Sequence, residues 1–126
     1  MCGRFTLRAS PHLVEEAIGL FSGLDDYKPR FNIAPTQSIL VLHHREGDAK
    51  PTYARMRWGL VPSWAEDVSI GNRMLNARSE GIETKPSFRS AIKRRRCLVI
   101  ADGFYEWKVG EAKKAPKAAL PHAPPG

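Results

Sequence analysis

The apolar residues of this 126-residue chain come in short runs, each stopped within a few positions by Gly, Pro or a polar turn. Such spacing allows short strands and short helices and little else. No run approaches the roughly 20 residues needed to cross a bilayer. The segment Met1–Ser10 has no apolar stretch of signal-peptide length, so secretion is not expected. A chain of this size fits one domain with one modest core, and 42% hydrophobic content is ordinary for it.

Read along the chain, Ser10 followed by Pro11 is an N-cap and first-turn proline. Leu13, Val14, Ala17, Ile18 and Phe21 then share one helical face, and Gly23 is the expected stop. Residues 25–35 read as a polar, proline-punctuated loop. Ser38–His44 predicts a strand, Glu46-Gly47-Asp48 a turn, and Thr52–Trp58 a second strand. In that second strand Thr52, Ala54, Met56 and Trp58 alternate with Tyr53, Arg55 and Arg57, which predicts an apolar face and a basic face. A break follows at Gly59–Trp64. Met74–Arg78 reads as a short strand or extended segment, Ser87–Lys93 as a short helix, Cys97–Ile100 as a buried strand, and Phe104–Trp107 as another extended piece. The sum is an α+β domain of short strands with a few helices. From residue 108 onward the sequence is rich in Lys, Ala and Pro with no strand or helix period. It reads as a disordered tail, so the foldable unit is expected to span 1–107.

The formal net charge of +7 favours an anionic partner. Twelve arginines stand in positions 1–107, and Arg suits bidentate phosphate contact better than Lys does. A generally basic surface is the plainer alternative. Two cysteines, Cys2 and Cys97, give no CxxC pair and no Cys/His cluster at zinc spacing. No disulfide framework, no metal and no cofactor are expected.

Cys2 carries the most specific chemistry. Loss of Met1 would leave a free α-amine beside the thiol-bearing carbon. Such a 1,2-aminothiol condenses with an aldehyde, and the thiol then closes on the imine carbon to form a thiazolidine. The amine's reference pKa of about 7.7–8.0 leaves a neutral fraction near neutrality, and closure within one residue gains from proximity. On Cys2 alone, an incidental penultimate cysteine is the simpler reading.

Five segments in order add to this: Met1–Phe5, Arg30–Gln37 (RFNIAPTQ), Met56–Trp64 (MRWGLVPSW), Asn76–Glu80 (NARSE) and Ala101–Trp107 (ADGFYEW). Together they resemble the SRAP family, the SOS response-associated peptidases or abasic-site processing proteins. The resemblance implies a β-rich α+β fold that binds single-stranded DNA containing abasic sites. It also implies a covalent link between Cys2 and the ring-opened sugar aldehyde, a lyase-like activity, and autopeptidase removal of Met1. It assigns Asn76 to hold the N-terminus and the sugar, and Glu106 to proton transfer. By their residue types alone, Asn76 also reads as a loop or capping amide and Glu106 as a solvent-facing strand carboxylate. Arg4, Arg57, Arg78 and Trp64 are the candidate DNA-binding residues. Trp58 shares a face with Met56 and reads equally as core. Lys93–Arg96 reads as a solvated charge run or a phosphate contact.

After Trp107 the sequence departs from the family pattern. The family's histidine motif is not found, and His122, in LPHAPPG, does not match it. The expectation is a C-terminally truncated family member, monomeric, with no membrane or metal partner. It would be cytoplasmic and nucleoid-associated through DNA, or nuclear in a eukaryote. Two alternatives stay open: a non-covalent single-stranded DNA-binding remnant, and an inactive truncation product.

Overall fold

The computed structural model describes residues 2–108 and the strand at 118–122. Among the described residues two antiparallel sheets form. The first runs in the order β2 (Arg30–Ile33), β1 (Phe5–Leu7), β6 (Gly103–Lys108), β7 (Ala118–His122). The second runs β4 (Thr52–Arg57), β3 (Ser38–His43), β5 (Cys97–Val99). Two helices, α1 (Pro11–Ile18) and α2 (Arg89–Arg94), and a 3₁₀ helix at Val68–Arg73 link them. This is the α+β architecture of short strands expected from the sequence.

The core lies where β1 meets β3. Phe5, Leu7, Val14, Leu24, Tyr27, Ile33, Ile39, Leu40 and Val41 form one buried cluster. Trp58 packs against it, its ring 5.4 Å from that of Phe5, and its indole N–H donates to the Leu75 carbonyl at 2.9 Å. The core role for Trp58 therefore holds. Near one end of β1, Asp102 accepts from the Thr6 hydroxyl at 2.7 Å and from the backbone N–H groups of Arg8 and Ala9 at 2.6 and 2.8 Å. This carboxylate fastens the start of β6 to the turn leaving β1. Burial pushes its pKa up, but the bonds from Thr6, Ala9 and Arg8 outweigh that, and the net shift is downward. Tyr27 donates to the Leu7 carbonyl at 2.8 Å and also reaches that of Ala9 at 3.2 Å. Burial first, then the nearby Asp102 charge, raises its pKa to about 12.

Several sequence expectations are corrected. α1 begins as predicted, with Ser10 accepting from the Leu13 N–H at 3.3 Å. It ends at Ile18, however, because Gly19 at φ 80° takes the left-handed cap and its N–H bonds Glu15 at 2.7 Å. Only Val14 on the expected face is buried; Leu13 and Phe21 are exposed. Part of the predicted loop 25–35 is a strand, β2, recruited by pairing with β1 at Phe5↔Ile33. Met74–Arg78 pairs with no strand among the described residues, and its Met74 carbonyl accepts from the Leu60 N–H at 3.0 Å. The 3₁₀ helix at Val68–Arg73 has no counterpart in the sequence reading. Cys97–Val99 is a strand but not a buried one: all three residues are exposed, because β5 lies at the edge of its sheet. Within the segment read as pattern-free, Ala118–His122 pairs along β6 from Lys108↔Ala118 to Phe104↔His122. Backbone hydrogen bonding, not side-chain periodicity, makes that strand. Residues 109–117 and 123–126 of the same expected tail lie outside the described residues.

Candidate functional site

The site is built around the residue before β1. Cys2 is half-buried against the core, with its thiol 3.8 Å from the Arg4 carbonyl oxygen. β1 is held on both sides, by β2 and by β6, so the two residues that lead into it have a fixed root. Tyr105 adds to this by donating its backbone N–H to Arg4 at 2.9 Å and its hydroxyl to Phe31 at 2.8 Å. A cavity of about 340 Å³ opens beside Cys2, lined by Phe5, Val99, Ala101, Gly103 and Phe104.

Asn76 arrives from the far side of the sequence. Its amide Nδ2 donates to the Cys2 carbonyl at 3.0 Å, a contact between residues 74 positions apart. The loop that carries it is set by two glycines. Gly59 sits at φ 134°, and a Cβ there would meet the Gly71 carbonyl oxygen at 2.4 Å. Only two residues without side chains let the 3₁₀ helix lie this close to the end of β4. The Leu60–Met74 bond then delivers the chain to Asn76.

Glu106 is exposed on β6. Strand alternation puts it on the face of Phe104, which lines the Cys2 cavity, and opposite to Tyr105 and Trp107. The structure thus sets Cys2 and Asn76 in direct contact and Glu106 on the same sheet face one step beyond the cavity wall.

The candidate DNA-binding residues divide. Arg4 is half-buried two residues from Cys2, and its guanidinium donates to Asn32 Oδ1 at 3.1 Å. Arg78 is exposed two residues beyond Asn76. Arg57 is exposed at the end of β4, bonded to Asn72 Oδ1. Trp64 is 59% exposed, but it lines a different cavity with Glu66, Asp67, Ser69, Ile70 and Arg73. Arg4 and Arg78 thus stand two residues in sequence from Cys2 and Asn76, Arg57 lines a groove together with Asn76, and Trp64 lines a cavity with none of them. Asn32 and Phe104 were not singled out from the sequence. Both lie inside quoted motifs, RFNIAPTQ and ADGFYEW, and those motifs were the available signal. Among the described residues no group of three or more His, Cys, Asp and Glu gathers as metal ligands, and no helix is long and apolar enough to cross a membrane.

Cys2, just before β1, and Asn76, in a distant loop, thus meet through one hydrogen bond. The family model of the SOS response associated peptidases (SRAP) matches residues 1–123, and the chain belongs to that family. It is 41% identical over 123 residues to the abasic site processing protein YoqW of Bacillus subtilis, a match covering 96% of this chain and 52% of YoqW. It is 43% identical over 94 residues to the abasic site processing protein HMCES of Rattus norvegicus, covering 67% of this chain and 27% of HMCES. Among solved structures, a phage-related protein of Bordetella bronchiseptica matches with a TM-score of 0.68 at 33% identity, over 95% of this chain and 53% of that one. The chain thus spans about half the length of YoqW and of the Bordetella protein.

Proposed function

We propose that this protein captures abasic sites in single-stranded DNA as a covalent thiazolidine on Cys2, once Met1 has been removed. The observation that carries the reading is the Asn76–Cys2 bond, which ties the backbone of the reactive residue beside a cavity of about 340 Å³. Relatives named abasic site processing proteins support the same substrate.

The chemistry balances without a cofactor. The Cys2 α-amine adds to the aldehyde carbon of the ring-opened sugar, giving a carbinolamine. Loss of water forms the imine, and the thiol adds its sulfur to the imine carbon and its proton to the nitrogen. One C–N and one C–S bond form, and one water leaves. Glu106 is assigned the proton transfers, delivering a proton to the departing hydroxyl and recovering it in turn. Asn76 is a positioning residue: by holding the Cys2 carbonyl it limits the rotation of the aminothiol and raises the fraction of productive geometry. Arg4 and Arg78 are assigned to the phosphates on either side, which makes binding salt-dependent. Release of Met1 by the chain itself belongs to the same proposal.

The test is a denaturing gel with an oligonucleotide carrying one abasic site. The protein lacking Met1 gives a band of slowed mobility. Cys2→Ala and a form that retains Met1 give none. A crosslink of normal yield from Cys2→Ala would overturn the assignment.

A further inference from the structure

Two cationic segments far apart in sequence meet at one end of the second sheet. β3 pairs with β4 through His43↔Thr52 and with β5 through His43↔Cys97. The chain therefore leaves β3 at the same end where it enters β4 and β5. Arg45 and Lys50, in the β3–β4 hairpin, and the run Lys93–Arg96, which leads from α2 into β5, are brought together there. All six side chains are exposed. Among the described residues none of the six is in an ion pair. The acidic neighbours in the hairpin are Glu46 and Asp48, and the Asp48 carboxylate accepts from the Arg45 backbone N–H at 3.1 Å. The His44 ring is held at 2.8 Å from the Asp48 carbonyl oxygen, which tightens the hairpin. A hollow of about 450 Å³ opens on this tip, lined by His43, Arg45, Asp48, Ala49, Lys50 and Thr52.

Like charges gathered by strand pairing repel one another, so the patch opposes the fold unless an anion offsets it. Four of the six cations are Arg, whose planar fork matches phosphate in a bidentate way. A phosphodiester backbone carries one charge at every repeat and can engage cations from both segments at once. The patch also stands away from Cys2. Trp58, beyond the other end of β4, donates its indole N–H to Leu75, the neighbour of Asn76. β4 spans Thr52–Arg57, so the patch and the Asn76 end of the sheet are about 17 Å apart.

We infer that this end of the second sheet is a separate, sequence-independent contact surface for the phosphates of single-stranded DNA. At about 3.4 Å per stacked nucleotide, it meets the strand about five nucleotides from the residue held at Cys2. Where along the strand the patch acts rests on the function proposed above; the binding itself does not.

The experiment measures, by fluorescence anisotropy across a salt series, binding of the full chain to an unmodified single strand of about 20 nucleotides. The variant Arg45→Gln/Lys50→Gln/Arg94→Gln/Arg95→Gln removes four charges and keeps Arg96, whose Nε donates to the Ile92 carbonyl at 2.6 Å. The four residues are exposed, so its melting temperature should stay close to that of wild type. The variant is expected to bind about tenfold more weakly or worse, with the log–log salt slope reduced by about 2–3, near 0.7 for each lost contact. Lys50→Gln alone lowers the slope by about 0.7, and Lys28→Gln, an exposed lysine outside the patch, leaves it unchanged. Crosslinking is then compared on abasic strands of about 20 and about 5 nucleotides. The variant is slower on the long strand and equal to wild type on the short one. Equal affinity and slope for variant and wild type, an equal loss of crosslinking on long and short strands, or competition by polyglutamate as strong as by DNA of matched charge would each overturn the inference. A salt-sensitive loss of binding in the variant, with no crosslinking of any abasic strand by wild type, leaves the surface standing and overturns the covalent function.

Discussion

The two sheets of this protein are stabilised in different ways. Around β1 the structure is buried and tied across long stretches of sequence: Asp102 reaches Thr6, Arg8 and Ala9, and Tyr27 reaches Leu7 and Ala9. Around β5 and α2 it is open. α2 has no buried residue and no side-chain cap, and every residue of β5 is exposed. The contrast teaches how the site is made. Cys2 grows from the rigid region, Asn76 from the open one, and their hydrogen bond is a seam between the two. Chemistry that needs Cys2 alone depends on the first region, whereas chemistry that needs it oriented depends on both.

The strongest way to break this contrast is at Gly59. Gly59→Ala adds a Cβ against the Gly71 carbonyl at a left-handed backbone position. We expect a loss of about 3 kcal/mol or more, read by chemical denaturation, with the 3₁₀ helix and the Asn76 loop released. A variant of native stability would show that the loop is not set by this approach. Asp102→Ala tests the rigid side. It strips the acceptor from three donors and is expected to cost about 2–3 kcal/mol. The same carboxylate gives a pH signature. Its folded pKa lies below its unfolded one, so its contribution is present above the ordinary carboxylate range and is lost as pH falls through the lowered value. Wild type should therefore lose stability toward acid more steeply than Asp102→Asn.

Asn76→Ala sharpens the seam. The bond is exposed, so stability should fall by less than about 1 kcal/mol. The rate of crosslinking should fall about tenfold, equivalent to roughly 1.4 kcal/mol. Equal losses in both would make Asn76 a fold residue and not a positioning one. The smallest effect is expected from Tyr27→Phe, about 1 kcal/mol from the lost hydroxyl bonds. In wild type the phenol's raised pKa means its contribution is complete below about pH 10 and disappears as pH rises toward about 12. Ultraviolet titration of the folded protein checks this, and a phenol that ionises at its free value would refute it.

Local chemistry was legible in the sequence. Ser10 and Pro11 start α1 because a capping hydroxyl and a proline act within one turn. Thr52–Arg57 was legible as a strand from its alternation, but its two faces were not: Tyr53, placed on the basic face, packs against the core, and Met56 is exposed. Other features escaped because they depend on neighbours. Leu98 and Val99 look buried by composition and are exposed by position at a sheet edge. The Ala118–His122 strand has no period of its own and exists through β6. Gly19 and Gly23 are equivalent as sequence, and only the length of the packed helix chose the first.

The sequence by itself determined the family, because five ordered segments are facts of covalent order, and it put a cysteine at position 2. The tertiary structure decided what that cysteine touches. Strand pairing fixes its root, a two-glycine approach brings Asn76 to its carbonyl, and the open edge of β5 remains beside it. A contact across 74 residues has no local signature, because it is set by how two sheets sit together and not by any window of the chain.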